Sequence, residues 1–456
     1  MATTDARSVG EVPLGWTGRT ADGERGRPWD LQATPRRGTR VTTTPRRDEL
    51  ALRVVGGDAL DEVRSSFLRL AERFRPEEAG DLEAAWSIEI AGRAPTTIEV
   101  HGGRCLVSPA AATAPAARLQ TDASTWLELV DGRVDGIAAF LAGRLRIEGD
   151  LNLALRLETL FRPGADAHRR LRTVRRDVRG VTMESVVAGT GTPVLLLHGL
   201  GANKVSFLPT LDGLAASHEV HALDLPGFGK SDKPLPAGRR YTMAWIADQV
   251  HGYLIRNRLR DAHVVGNSMG GRVALELALR HPDSVRSVVG LGSAVAFDEY
   301  QRFSSLLRLL RPQWLGVAPF PARRAWIEAG LRELFHDPSR VPADNFRAAA
   351  EDVVATMGDR GYRLALLACA RQLGAERVGG RHCFWKRMEG LAVPSYWVFG
   401  RHDRLVNRRY ARRVEERLPA ARVDLWEDVG HVPQFEVPER TNDALKGWLG
   451  RIDAGR

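Results

Sequence analysis

In the stretch VVGNSMGGRV, residues 264–273, a serine stands between glycines, after an apolar run and before a helical one. Those residue types suit a nucleophile on a sharp turn, because side chains at Gly266 or Gly270 would collide where strand and helix close on each other. A serine between glycines is also an ordinary turn, and Ser268 stays inert unless a base takes its proton and an acid orients that base. Both groups follow along the chain, Asp403 in FGRHDRLV (399–406) and His431 in VGHVPQFEVPER (429–440), each just after a strand-like run. Two backbone donors complete the set. The N–H of Met269 opens a helix whose positive end faces Ser268, and HGLG (198–201) brings the N–H of Leu200 over the same point. Such a set performs acyl transfer through a covalent acyl-serine, a chemistry that requires no metal or organic cofactor.

These residues need a scaffold that gathers the ends of several strands. Short apolar runs at 193–199, 219–227, 262–268, 284–293 and 394–400 read as strands buried on both faces. Helical patterns at 244–257 and 272–281 lie between them. Alternating strand and helix predicts a mostly parallel sheet covered by helices, an α/β fold over residues 166–456. In such a sheet chemistry collects at the carboxyl ends of strands, where Ser268 falls.

A different texture precedes it. Residues 1–48 are rich in Gly, Thr, Pro and Arg without a sustained period and read as a disordered arm. In the unit at 49–165, Leu60, Val63, Phe67, Leu70 and Phe74 mark an amphipathic helix over 58–74. Trp86, Ile88 and Ile90 alternate on one face, and 96–107 reads as two strands joined at His101–Arg104. Two helices, a short strand at 144–148 and a leucine-rich helix follow over 124–161. An arginine-rich connection, ADAHRRLRTVRRD (165–177), leads into the second unit.

The segment GRLRIEGD (143–150) with its apolar C-terminal helix resembles the sterol carrier protein type-2 family, over most of residues 55–163. The resemblance implies a module that binds an acyl chain, sterol or similar lipid; leucines on that helix are otherwise ordinary core. Over the second unit, HGLG, DLPGFGKSD (224–232), GNSMGG (266–271), GRHD (400–403) and GHVPQFEVPE (430–439) resemble, in order and spacing, the α/β-hydrolase family. That resemblance implies an α/β-hydrolase sheet preceded by a smaller α+β domain. It makes Ser268 the nucleophile, His431 the base and Asp403 the orienting acid, with Asp298 as an alternative acid position. It also implies a helical lid at about 297–390, whose Leu, Trp and Phe suit an apolar acyl pocket. His198 is expected to orient backbone, His402 to be exposed, and Asp224, Asp232 and Asp428 to anchor loops.

Three functions fit these features. The first is a serine hydrolase of lipid-like esters or thioesters, supplied by the N-terminal unit. The second is a C–C bond hydrolase of ring-cleavage products, suggested by Asn267, although Val432 stands where those enzymes commonly carry tryptophan. The third is a non-catalytic lipid transfer or receptor protein, against which the complete set of catalytic residue types argues.

Composition narrows the partners. Cys105, Cys369 and Cys383 are widely spaced and odd in number, which argues against a disulfide framework or a clustered zinc site. No apolar run reaches the length of a membrane span, and the N-terminus lacks the apolar core of a secretory signal, so the cytoplasm is expected. The formal charge of +10 is nearly all arginine, clustered at 169–179 and 408–417. Those clusters fit either phosphate groups, of lipids at an anionic membrane surface that the protein contacts peripherally, of coenzyme A or of nucleic acid, or plain solvated faces, and no nucleic-acid motif accompanies them.

Overall fold

The structure is a computed structural model that describes residues 62–161, 171–293, 323–375 and 383–455. Residues 1–61, and with them Leu60, lie outside the described residues, as do Asp298 and the segment 300–315 of the expected lid.

Helix α1 (Glu62–Glu72) buries Val63, Phe67 and Leu70, the face its spacing predicts. After the short α2 (Pro76–Ala79) come strands β1 (Ala84–Ile90), β2 (Thr96–His101), β3 (Arg104–Ser108) and β4 (Ala117–Thr121). Helices α3 (Ala123–Val130) and α4 (Gly136–Leu141) are capped by Asp122 and Asp135. Strand β5 (Arg146–Gly149) and helix α5 (Leu151–Phe161) close the unit, the strand starting two residues later than its sequence pattern predicts. The five strands run in the order β3-β2-β1-β4-β5, with only the β1/β4 pair parallel. Helices cover one layer of this sheet around Trp86 and Trp126, both buried.

The second sheet contains strands β6 (Arg172–Val178), β7 (Val181–Ala188), β8 (Thr192–Leu197), β9 (His218–Leu223), β10 (Ala262–Asn267), β11 (Val285–Leu291), β12 (Ser395–Gly400) and β13 (Arg422–Trp426). Helix α6 (Leu208–Leu214) joins β8 to β9, α7 (Met243–Arg256) joins β9 to β10, and α8 (Met269–Arg280) joins β10 to β11. A helical insertion, α9 (Arg324–Arg332), α10 (Ala343–Met357), α11 (Arg360–Ala375) and α12 (Phe384–Met388), precedes β12. Helices α13 (Arg409–Arg417), α14 (Pro433–Glu436) and α15 (Pro438–Ala454) complete the chain.

Strand order is β13-β12-β11-β10-β8-β9-β7-β6, parallel from β13 to β9 and antiparallel at β7 and β6. The central strands β8, β10 and β12 bury nearly every side chain, as expected of strands covered on both faces. One expectation is corrected. Residues 172–177, read from sequence as part of a connection, are the edge strand β6, paired antiparallel with β7. Its arginines point to water, with Arg172 and Arg175 lying within ion-pair reach of Glu219 and Glu184. Charge on an edge strand also discourages pairing with another chain.

The two sheets do not sit apart. One buried apolar cluster runs from Phe67, Trp126, Phe140 and Leu151 into Val205, Leu208 and Leu211 beneath the second sheet.

Candidate active site

Ser268 occupies the single residue between β10 and α8, at φ 52° and ψ −116°. A non-glycine residue there is strained by roughly 1–3 kcal/mol, tolerated only where surroundings over-determine it. They do so here: a Cβ on Gly270 would lie 1.9 Å from the carbonyl oxygen of Leu197, so only glycine lets α8 start against the end of β8. The Ser268 N–H donates to Leu291 O at 3.0 Å, tying the turn to the end of β11.

That strand end gathers the rest of the site. Gly292 follows it at φ +49°, and a Cβ there would stand 2.7 Å from His431 O and 3.3 Å from Asp403 Oδ2 and His431 Nδ1. Asp403, at the end of β12, accepts at Oδ2 from His431 Nδ1, 2.8 Å away. Its Oδ1 accepts from the N–H groups of Leu405 and Val406, both at 2.8 Å, so the carboxylate is satisfied and its side chain fully enclosed. With Nδ1 donating to a carboxylate, Nε2 of His431 is left as the basic nitrogen.

His431 is held from both sides of its backbone. Its N–H donates to Leu334 O at 2.7 Å, and its carbonyl accepts from Asn267 Nδ2 at 3.0 Å. Asn267 Nδ2 also donates to Leu291 O at 2.9 Å. The residue preceding Ser268 therefore positions the histidine, a role its sequence neighbourhood does not announce.

The HGLG segment packs onto the turn: a Cβ on Gly199 would be 3.3 Å from Ser268 Cβ. His198 is fully buried, accepts at Nε2 from Leu225 N–H at 3.0 Å and sets Nδ1 against Gly199 O at 2.8 Å. Burial holds its pKa below the usual imidazole value, so it is a neutral bracket between two loops. Asp224 is a loop anchor, accepting from the backbone of Lys204 and Lys230. Asp232 accepts from Thr182 N–H, and Asp428 pairs with Arg340 and Arg440. His402 is exposed and stacks on His336, ring centroids 3.9 Å apart.

A cavity of about 540 Å³ opens over Ser268 and His431. Its walls are mostly apolar side chains of α9, α10 and α11, together with Phe140 and Leu151 from the N-terminal domain. Among the described residues its lining contains no Lys or Arg. One acid enters it that sequence spacing gives no reason to single out: Asp352 on α10, whose Oδ2 accepts from Asn203 Nδ2 at 2.9 Å. Burial, then the nearby charge of Asp150, pushes its pKa up to about 6. Among the described residues no cluster of side chains could hold a metal ion, and no helix is long and apolar enough to cross a membrane.

A parallel sheet with a strained serine at the β10 to α8 turn and an Asp–His pair on the last loops defines the α/β hydrolases. The chain belongs to that family: residues 192–438 match the alpha/beta hydrolase fold, and the protein is a hydrolase. Residues 67–162 match the SCP-2 sterol transfer family, so the two-unit arrangement expected from the motifs holds. Among relatives, the chain is 27% identical over 274 residues to a pimeloyl-(acyl-carrier protein) methyl ester esterase of Aeromonas hydrophila, covering 58% of this chain and 97% of the relative. It is 28% identical over 270 residues to a 2-hydroxymuconate semialdehyde hydrolase of Pseudomonas putida, 58% of this chain and 90% of the relative. A crystal structure of a membrane phospholipase A, described as a bacterial virulence factor, superimposes with a TM-score of 0.52 at 27% identity, over 62% of this chain and 87% of that one.

Proposed function

We propose that the protein is a serine hydrolase cleaving carboxylic ester or thioester bonds of lipid-like substrates, with Ser268, His431 and Asp403 as its catalytic triad. The observation that carries this reading is the apolar cavity that Ser268 and His431 share, with His431 anchored on an enclosed Asp403. His431 Nε2 takes the Ser268 proton as Oγ attacks the carbonyl carbon. Asp403 keeps the proton of Nδ1 in place and stabilises the imidazolium that forms. Charge on the tetrahedral oxygen falls to the N–H groups of Met269 and Leu200, each worth roughly 3 kcal/mol of barrier lowering. His431 then returns the proton to the departing alcohol or thiol, and water activated by the same nitrogen releases the acid.

The alternative C–C cleavage of carboxylate-bearing ring products is less well served. Among the described residues the cavity lining offers an anionic substrate no Lys or Arg, and it includes Asp352. Asn267, the residue that suggests that reaction, has its amide nitrogen committed to two backbone carbonyls.

The limits 1–48, 49–165 and 166–456 for arm, lipid module and hydrolase belong to the same proposal, as does cytoplasmic residence. The arginines of 408–417 give little support to an anionic membrane contact. Arg412 and Arg417 pair with Glu416 and Glu389, and Arg413 lies over Trp385 and Tyr410.

A fluorophosphonate probe should label the protein at Ser268, and p-nitrophenyl acyl esters should be cleaved. Ser268→Ala should lose labelling and about 10⁴-fold or more of kcat; a variant that labels and turns over like the parent sinks the assignment.

A further inference from the structure

A second cavity, of about 120 Å³, lies inside the N-terminal domain between its sheet and helices α3, α4 and α5. Two of its lining residues, Val205 and Leu208, belong to the hydrolase, so neither domain forms it alone. Phe140, Leu151 and Val205 line both this cavity and the one over Ser268. The partition between the chambers is therefore these buried side chains, all apolar. Their side chains are apolar, so parting them would break no side-chain hydrogen bond.

The polarity of the combined space is directional. Ser268, His431, Asn203 and Asp352 lie at the first cavity, whereas the lining of the second is made of apolar side chains and glycine backbone. A guest with one reactive polar end and a long hydrocarbon remainder matches that gradient; a sterol ester or a short ester matches only part of it. Helix α10 of the insertion is fastened to the same partition, since Asn345 Nδ2 donates to Phe140 O at 3.3 Å and Asp344 pairs with Arg146 on β5.

We infer that one long acyl chain occupies both cavities at once, its carbonyl at Ser268 and its tail passing Phe140, Leu151 and Val205 into the N-terminal domain. The inference rests on the serine-hydrolase reading above and adds the substrate class: straight-chain acyl esters or thioesters whose tail outreaches the first cavity. The N-terminal domain is then a specificity subsite of the enzyme. It measures chain length from within the protein, and no separate carrier has to release its lipid into water.

The test uses the full chain and p-nitrophenyl butyrate, laurate and palmitate. In the parent, kcat/KM should rise from butyrate to palmitate. Ala154→Phe from α5, and Leu119→Phe from the opposite wall on β4, fill the second cavity; thermal melting identifies which of them fold. In a folded variant the palmitate-to-butyrate ratio of kcat/KM should fall at least tenfold, the loss of about two buried methylenes. Displacement adds a readout that does not depend on turnover. A fluorophosphonate bearing a hexadecyl chain should expel bound cis-parinaric acid from the parent, whereas a methyl fluorophosphonate that labels Ser268 equally should not. Labelling intact with an unchanged palmitate-to-butyrate ratio overturns the shared site alone. A parent that neither labels nor cleaves any of the esters overturns the hydrolase reading and the shared site with it.

Discussion

Ser268 stands at φ 52° and ψ −116°, a strained conformation for a residue other than glycine, and the proposed nucleophile role accounts for the strain being kept. Glycine relieves it. Ser268→Gly should therefore abolish ester cleavage while raising stability by roughly 1 kcal/mol, the relief of strain less the added entropy of the unfolded chain. Chemical denaturation of parent and variant checks this, and a less stable variant would refute it. Asp352 carries the opposite kind of strain. Its folded pKa of about 6 lies above the unfolded value, so folding favours the protonated form. The penalty is absent below about pH 4, grows as pH rises towards 6 and is complete above it, reaching about 3 kcal/mol. Asp352→Asn should be more stable than the parent at pH 8 and equal to it at pH 3.5, as read from urea midpoints. At this scale Ser268, Asp403 and His431 are legible in the sequence because each sits in a local motif that the turn chemistry demands. Asp352 and the positioning work of Asn267 are not. Asp352 reaches the cavity only when α10 folds against Asn203, and Asn267 reaches His431 across 164 residues of chain.

Elements place these groups through strand ends. β10 delivers Ser268, β12 delivers Asp403, and β11 lies between them, its end supplying Leu291 O and the glycine against which His431 rests. Gly292 is constrained twice, by a positive φ and by the His431 carbonyl 2.7 Å from where a Cβ would be. Gly292→Ala should push the histidine loop outward. A displacement near 1 Å is worth about 10²-fold in rate, so kcat should fall by that order with KM little changed. Unaltered kcat would mean that the loop is not held from this side. The alternation of apolar runs and helices made the parallel sheet readable, since buried strands have little choice of residue type. β6 was not readable, because an edge strand carrying Arg172, Arg175 and Arg176 has the composition of a linker, and only pairing with β7 makes it a strand. The insertion followed from its length between strands, but not its docking: which helices face Ser268 depends on a neighbouring domain that local periodicity does not encode.

At the scale of the whole molecule, a buried ammonium joins the two units. Lys204 is 2% exposed and donates from Nζ to Asp224 Oδ2 at 2.6 Å, Glu184 Oε1 at 3.1 Å and, across the domain boundary, Asn152 Oδ1 at 2.8 Å. Burial disfavours its charge, but the two carboxylates outweigh burial and hold its pKa above the ordinary lysine value. Lys230 pairs with Asp150, which also caps α5, and Arg146 pairs with Asp344 of the insertion. Beneath these polar links the apolar cluster is continuous from Phe67 to Leu211. Domains joined by a large hydrophobic contact do not move or melt as independent bodies. Calorimetry of the full chain should then show one cooperative transition in which both units unfold together, and two resolved transitions would contradict the shared core. Lys204→Met leaves Asp224 buried without its cation, Glu184 with Arg175 still beside it and Asn152 without its donor, so it should lower stability by about 3–5 kcal/mol. Because those partners are divided between the two units, the loss should shift the single transition downward as a whole; a fall confined to the hydrolase, with the N-terminal unit melting where it did before, would show that the units are merely adjacent.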